Sequence, residues 1–282
     1  MKYRFIDLFA GAGGLSEGFI RAGYEPIAHI EMDHYACDSL KTRAAFHYLK
    51  ENGKLEIYEE YLKNKKEKTD GSWLWNQVPK SVIDSVIQEA IGKETLPSLF
   101  ERVDKLCNGK PVDMIIGGPP CQAYSVAGRA RLGKKIEEDP RNDLYKFYVE
   151  FLKRYKPKMF VFENVLGIFT AKGGEPFRDL IRLVRELDYN IDFREQIASQ
   201  HGVLQKRHRV IIVGWQNKRD TQEDTSYHYP YLLEEQMPYK MMRDLFCDLP
   251  IVKAGEGTLC GIVHYTKPLS DMESVSYTHL RA

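Results

Sequence analysis

Cys121 stands in the stretch MIIGGPPCQAYSVAGRARLG, residues 114–133. An apolar run ends in two glycines, and two prolines then stiffen the backbone just before a lone thiol. Gly117 and Gly118 permit close approach of a ligand, while Pro119 and Pro120 fix φ and remove two amide donors. This predicts a rigid, extended segment that delivers Cys121 into a crevice. Most lone cysteines are small buried hydrophobes, but the polar and rigid GGPP and QAYS flanks make poor core. A nucleophilic thiolate needs positive surroundings that lower its pKa, and Arg129, Arg131, Arg207 and Arg209 are the available cations.

Glu163 sits near the end of FVFENV. A carboxyl behind three apolar residues is expected to be partly desolvated, which favours the protonated form. In that form it can donate to a ring nitrogen as a general acid. In QKRHR (205–209), Gln205, Arg207 and Arg209 alternate. On a strand they would share one face and could grip a carbonyl oxygen and phosphates. DLFAGAGG (7–14) is a glycine turn, but Ser16 stands where a dinucleotide fingerprint has its third glycine. A phosphate-cradling loop is therefore a poor fit. Glu31 follows Gly13 by 18 residues, a spacing suited to a carboxylate that accepts ribose hydroxyls. The glycine turn and Glu31 together favour an adenosine-containing cofactor.

The elements that must position these groups alternate in type. RFIDLF (4–9) reads as a strand, followed by a helix with Leu15, Phe19 and Ala22 on one face and closed by Gly23. YEPIAHIEM (24–32) is a second strand, and Asp33 is placed to cap a helix reaching about residue 50. This βαβα start implies a parallel sheet. Residues 50–95, rich in Lys and Glu, read as an exposed helical insertion, with 79–96 a more amphipathic helical piece. Further on, 112–118 and 158–165 read as strands, and 142–155 and 175–187 as helices. Residues 189–198 and 209–216 are closing strands, and a short helix is expected near 239–246. Asp7–Gly14, Glu31, Gly117–Cys121 and Glu163–Val165 then all fall at the carboxyl ends of parallel strands, where open α/β sheets bind ligands.

Composition narrows the class. The chain has 282 residues, 43% hydrophobic, enough to bury a sizeable core. It has no run of about 18 apolar residues, so no membrane span is expected. The N-terminus lacks the cleavage site of a signal peptide. Cysteines 37, 107, 121, 247 and 260 form no CxxC pair, which argues against a disulfide or metal framework and for a reducing, cytoplasmic setting. Net charge is +1, yet residues 126–158 hold ten Lys/Arg against five Asp/Glu, a contact surface suited to a polyanion.

DLFAGAGG, GGPPCQAYS, ENV and QKRHR, in this order, resemble motifs I, IV, VI and VIII of the C5-cytosine DNA methyltransferases, and DPRNDLY (139–145) resembles motif V. The resemblance spans roughly residues 3–250 and is to the bacterial restriction-modification type. It implies a Rossmann-like S-adenosylmethionine-dependent methyltransferase fold, α/β, with a mostly parallel sheet and helices on both faces. It implies methyl transfer from S-adenosyl-L-methionine to C5 of a cytosine flipped out of double-stranded DNA. Cys121 would attack C6. Glu163 would hold N3 and the exocyclic amine, and Arg209 the O2 carbonyl, with Arg207 assisting. Phe9, Gly11, Glu31, Met32, Pro120 and Leu144 match cofactor-lining positions, beside Ala10, Gly13 and Gly118. Gln122, Ser125, Arg129, Arg131, Asn164 and Gln205 fall on the substrate and DNA side, with Asn164 orienting the Pro-Cys loop. Segment 126–141 matches the loop that closes over the base. The acidic residue touching the adenine corresponds to Glu101 or Asp104.

On this resemblance residues 1–250 form the catalytic domain. Residues 251–282 are the start of a truncated target-recognition region or a non-native tail, so weak or absent turnover is expected of this chain alone. A cognate restriction endonuclease would be a functional partner. Two other readings stay open: an inactive fragment that binds cofactor or DNA and needs a second segment or chain, and the RNA-methylating branch, whose Cys-Phe-Thr signature is missing.

Overall fold

The structure, a computed structural model, describes residues 2–63, 71–120, 143–203, 205–217 and 230. Strand β1 (Arg4–Leu8) leads through the glycine turn into α1 (Gly14–Arg21) and β2 (Glu25–Glu31). Helix α2 (His34–Glu51) starts under its expected cap: Asp33 Oδ1 accepts the Ala36 N–H at 2.8 Å. Then come α3 (Leu55–Lys63), α4 (Ser72–Trp75), α5 (Lys80–Asp84) and strand β3 (Val86–Gln88). Next in the chain are helix α6 (Leu96–Cys107), β4 (Met114–Gly117), α7 (Leu144–Tyr155), β5 (Met159–Asn164) and α8 (Glu175–Glu186). Strands β6 (Tyr189–Ile197) and β7 (His208–Gln216) close the described chain.

These strands make one seven-stranded sheet in the order β3-β2-β1-β4-β5-β7-β6. The first five strands pair in parallel, and β7 runs antiparallel to β5. Chain order therefore reverses between β1 and β4, and the loops leaving those strands diverge there, opening the crevice in which open α/β sheets hold ligands. Phe5, Ile6 and Leu8 of β1 are fully buried, as expected of a central strand covered on both faces. One face packs on Leu99 and Val103 of α6, Tyr148 and Phe151 of α7, and Leu180 and Val184 of α8. Leu15, Phe19 and Ile20 of α1 pack over Phe5, Met114 and Ile116. The Tyr148 hydroxyl lies 3.0 Å from the carbonyl oxygens of both Ile115 and Val161, tying α7 to β4 and β5.

The insertion departs from expectation in two ways. It is not merely exposed helix: Tyr61, Leu74 and Val78 are buried against Ala45 and Leu49 of α2, with Trp73 and Trp75 alongside. Trp75 Nε1 donates to Thr42 Oγ1 at 3.2 Å. The piece expected to be helical over 79–96 breaks after α5, and Val86–Gln88 joins the sheet beside β2. Val86 and Ile87 are both buried, and that burial outweighs the helical pattern of a run so short.

The chain divides into two compact units, Met1–Glu195 with Arg209–Tyr229, and Gln196–His208 with Pro230–Ala282. The expected boundary near 250, the tail 251–282 and the helix near 239–246 lie outside the described residues. Among the described residues no helix is long and apolar enough to cross a membrane.

Gly214 of β7 faces Phe160 of β5, and a Cβ there would overlap the phenyl ring. Gly214→Ala should cost about 1–3 kcal/mol through overpacking, read as a lowered urea midpoint. An unchanged midpoint would contradict this strand contact.

Candidate active site and cofactor loop

At the end of β1 the backbone turns sharply. Phe9 takes φ 57°, Gly11 φ 54° and Gly13 φ 84°. A non-glycine residue in the left-handed region costs roughly 1 kcal/mol and persists only where its surroundings impose it. Here they do. The Ala10 N–H donates to the Ile30 carbonyl at 3.1 Å and the Gly13 N–H to the Ala10 carbonyl at 3.0 Å. The Gly11 N–H donates to Glu31 Oε2 at 2.8 Å, while Oε1 accepts the amides of Met32 and Asp33, each at 2.9 Å. A carboxylate offers about four acceptor sites, so Glu31 spends most of its capacity fastening the glycine loop to the end of β2. That structural duty was invisible in the spacing of Glu31 from Gly13. Met32 and Tyr35 beside it are 67% and 79% exposed, an apolar surface next to the carboxylate.

Glu31 pairs in register with Gln88, and the Glu89 N–H donates to the Glu31 carbonyl at 2.9 Å. Gln88 and Glu89 thus share the sheet edge with Glu31. They were missed because β3 read as helix. Glu101 and Asp104 lie on α6 instead, Asp104 in its last turn. Lys105 holds Glu101 at 2.7 Å, and Arg154 and Tyr155 hold Asp104. The Arg154 guanidinium beside Asp104 lowers its pKa below the usual carboxylate value, against the opposing effect of burial.

The second loop leaves β4. A Cβ on Gly117 would overlap the Leu8 carbonyl oxygen, and one on Gly118 would lie 2.7 Å from Glu163 Oε2. Both glycines are there because β4 ends in contact with its neighbours. Asn164, 2% exposed, donates from Nδ2 to the Pro119 carbonyl at 3.4 Å and accepts the Val165 N–H at 2.9 Å. It holds the backbone one residue before Pro120. Cys121, Gln122, Ser125, Arg129 and Arg131, with the basic segment 126–141, lie outside the described residues. Leu144 opens α7 and is partly buried.

Glu163 and Arg209 meet across β5 and β7. Glu163 stands opposite Ile211, which makes Arg209 its diagonal neighbour on the same face. Arg209 Nε donates to Glu163 Oε1 at 2.7 Å, with the side chains 22% and 25% exposed. The carboxyl therefore faces a cation as well as apolar neighbours, a partner its own strand could not reveal.

The expected alternation of Gln205, Arg207 and Arg209 on one strand is corrected. Strand β7 starts at His208. The Arg207 N–H is spent on the Gln205 carbonyl at 2.9 Å, a tight turn that removes both residues from the ladder. Both belong to the second unit, where the Ala198 N–H donates to the Arg207 carbonyl at 2.9 Å and His201 Nε2 lies 2.8 Å from Gln196 Oε1.

This geometry coincides with a known sequence family. The profile of the C-5 cytosine-specific DNA methylases matches residues 3–72 and 90–262. The chain belongs to that family. Among its relatives, Type II methyltransferase M.Bpa9945I of Bacillus paralicheniformis is 33% identical over 280 residues, covering 89% of the chain and 62% of the relative. Type II methyltransferase M1.HphI of Haemophilus parahaemolyticus is 29% identical over 279 residues, covering 98% and 61%. The chain thus spans about three fifths of the length of these relatives. A crystal structure of a DNA modification methyltransferase encoded within an E. coli prophage superposes with a TM-score of 0.55 at 24% identity, covering 89% of this chain and 56% of that one. That likeness and the sheet order give the chain a Rossmann-like fold.

Gly118→Ala should leave the sheet intact and displace the Glu163 carboxylate, breaking its contact with Arg209. A crystal structure of the variant checks this; an undisturbed Glu163–Arg209 pair would contradict the close packing described.

Proposed function

We propose that this methylase transfers a methyl group from S-adenosyl-L-methionine to C5 of a flipped-out cytosine in double-stranded DNA, through a covalent bond between Cys121 and C6. The observation that carries the reading is the convergence, on one sheet edge, of the Glu31-pinned glycine loop and the Gly117–Pro120 segment. The Glu163–Arg209 pair abuts that segment.

The residues present fit the cofactor. The backbone of Phe9–Gly13 bends away from the sheet, Glu31 keeps acceptor capacity for a hydroxyl, and Met32 offers apolar surface to a base. Gln88 and Glu89, at the same sheet edge as Glu31, are assigned to the adenine together with Glu101 or Asp104. Ala10, Gly11, Gly13, Gly118, Pro120 and Leu144 complete the lining. When bound, S-adenosylmethionine supplies an electrophilic methyl group to the activated C5.

The chain's own residues do the rest. The Cys121 thiolate adds to C6, and the electron pair displaced from the C5–C6 bond is accommodated as a proton reaches N3. Arg209 turns to the O2 carbonyl of the base, and Glu163 holds the proton at N3. After methylation, loss of the C5 proton restores the double bond and expels the thiolate. Asn164 holds the Pro119 carbonyl, two residues before the proposed nucleophile Cys121. Arg129 and Arg131, with Arg207, Gln122, Ser125 and Gln205, are assigned to the thiol environment and the DNA. The Type II names of the relatives support a restriction-modification role beside a cognate endonuclease.

In the complete protein, incubation with duplex DNA and labelled cofactor should yield 5-methylcytosine on nucleoside mass spectrometry. Cys121→Ala should abolish the product, and Glu163→Gln should lower the rate about 10²–10⁴-fold, the range of a lost general acid. A methylated adenine, or an active Cys121→Ala variant, would overturn the reading.

A further inference from the structure

Buried polar side chains are costly unless satisfied, so their placement is informative. Among the described residues four are buried: Asp7, Ser16, His29 and Asn164. Asn164 serves the loop that carries Cys121. The other three form one cluster beneath the other loop. Asp7 on β1 is 1% exposed, and His29 on the adjacent strand β2 is 4% exposed. The two strands are paired in register at these residues. His29 Nδ1 lies 3.4 Å from Asp7 Oδ2. The Ser16 hydroxyl, 1% exposed on α1, donates to the Gly13 carbonyl at 3.2 Å, and its interaction with Asp7 lowers that carboxyl's pKa.

We infer that Asp7, His29 and Ser16 are positioning residues for the cofactor loop. They act through Gly13, whose left-handed backbone starts α1 without a side-chain cap. This role rests on the reading of that loop as the S-adenosylmethionine site. Gly13 is fastened from above by its own amide, which donates to the Ala10 carbonyl. It is fastened from below by Ser16, and Ser16 by Asp7. A hydroxyl has one proton to give, so the Ser16 proton is shared between the Gly13 carbonyl and the Asp7 carboxylate, and a change at Asp7 alters what Ser16 gives Gly13. Burial raises the Asp7 carboxyl pKa, while the bonds from His29 and Ser16 and the charge of His29 lower it. A plain packing role would be filled by apolar residues, as at Phe5 and Ile6 in the same strand. The polar cluster instead gives the loop a fixed hydrogen-bonded floor opposite Glu31, which holds Gly11 from the β2 side.

The test uses the complete protein with Ser16→Ala, Ser16→Thr and Asp7→Asn. Loss of one buried hydrogen bond should weaken cofactor binding about tenfold, measured by calorimetric titration with S-adenosylmethionine. DNA affinity should be unchanged, and Ser16→Thr should restore cofactor binding. Amide hydrogen exchange should quicken at Gly11–Gly14 in Ser16→Ala, and stay unchanged in β4 and β5. Wild-type cofactor affinity in both Ser16→Ala and Asp7→Asn would overturn the inference. So would exchange that rises across the whole sheet. A wild-type protein that binds no S-adenosylmethionine would refute the functional reading instead, and the exchange pattern at Gly11–Gly14 would still decide the role of the cluster.

Discussion

Strands β1 and β4 end in backbone contact: Gly117 lies beside Leu8, with no room for a Cβ against the Leu8 carbonyl oxygen. Everything at the site depends on this approach. The two loops leave the sheet from adjacent points, where chain order reverses. A side chain at residue 117 would part the strands and carry the glycine turn away from the segment that leads to Cys121. The same economy of space recurs one residue on, where Gly118 admits the carboxylate of Glu163. Two glycines thus set the distances among three strands, and chemistry is placed on rigid elements rather than on the loops alone.

Each loop is held by a side chain from a neighbouring strand. Glu31 on β2 reaches the amide of Gly11, and Asn164 on β5 reaches the carbonyl of Pro119. Loop geometry therefore follows strand register, so a change in packing far down the sheet would be felt at the edge. Electrostatics work the same way. Arg209 compensates the partly buried Glu163 across β5 and β7. A partly buried carboxyl paired in this way lets that edge of the sheet stay folded without a ligand.

Much of the sheet was legible in the sequence because its signals are local. Apolar runs leading into glycines marked β1 and β4, the apolar run within 158–165 marked β5, and Asp33 marked the start of α2. The rest was hidden because it depends on partners distant in the chain. Val86–Gln88 is too short to show a period, and only its place beside β2 makes it a strand. The core under Trp73 and Trp75 forms against α2, so the charged sequence around those residues concealed it. Arg207 left the strand because its amide turned back to Gln205. Arg209 finds Glu163 across a gap of 46 residues. Asp7 read as part of a polar ligand edge, yet it lies buried below that edge, on His29.

The most direct measurement concerns the thiol itself. Duplex DNA carrying 5-fluorocytosine at the target base cannot lose a C5 proton, so a covalent pathway stalls with the enzyme attached. Incubation with the complete protein and S-adenosylmethionine should give a denaturation-resistant adduct whose mass maps to the peptide holding Cys121. A protein that binds both cofactor and DNA yet forms no adduct, or an adduct that survives Cys121→Ser, would contradict the covalent role of the thiol behind Gly117–Pro120.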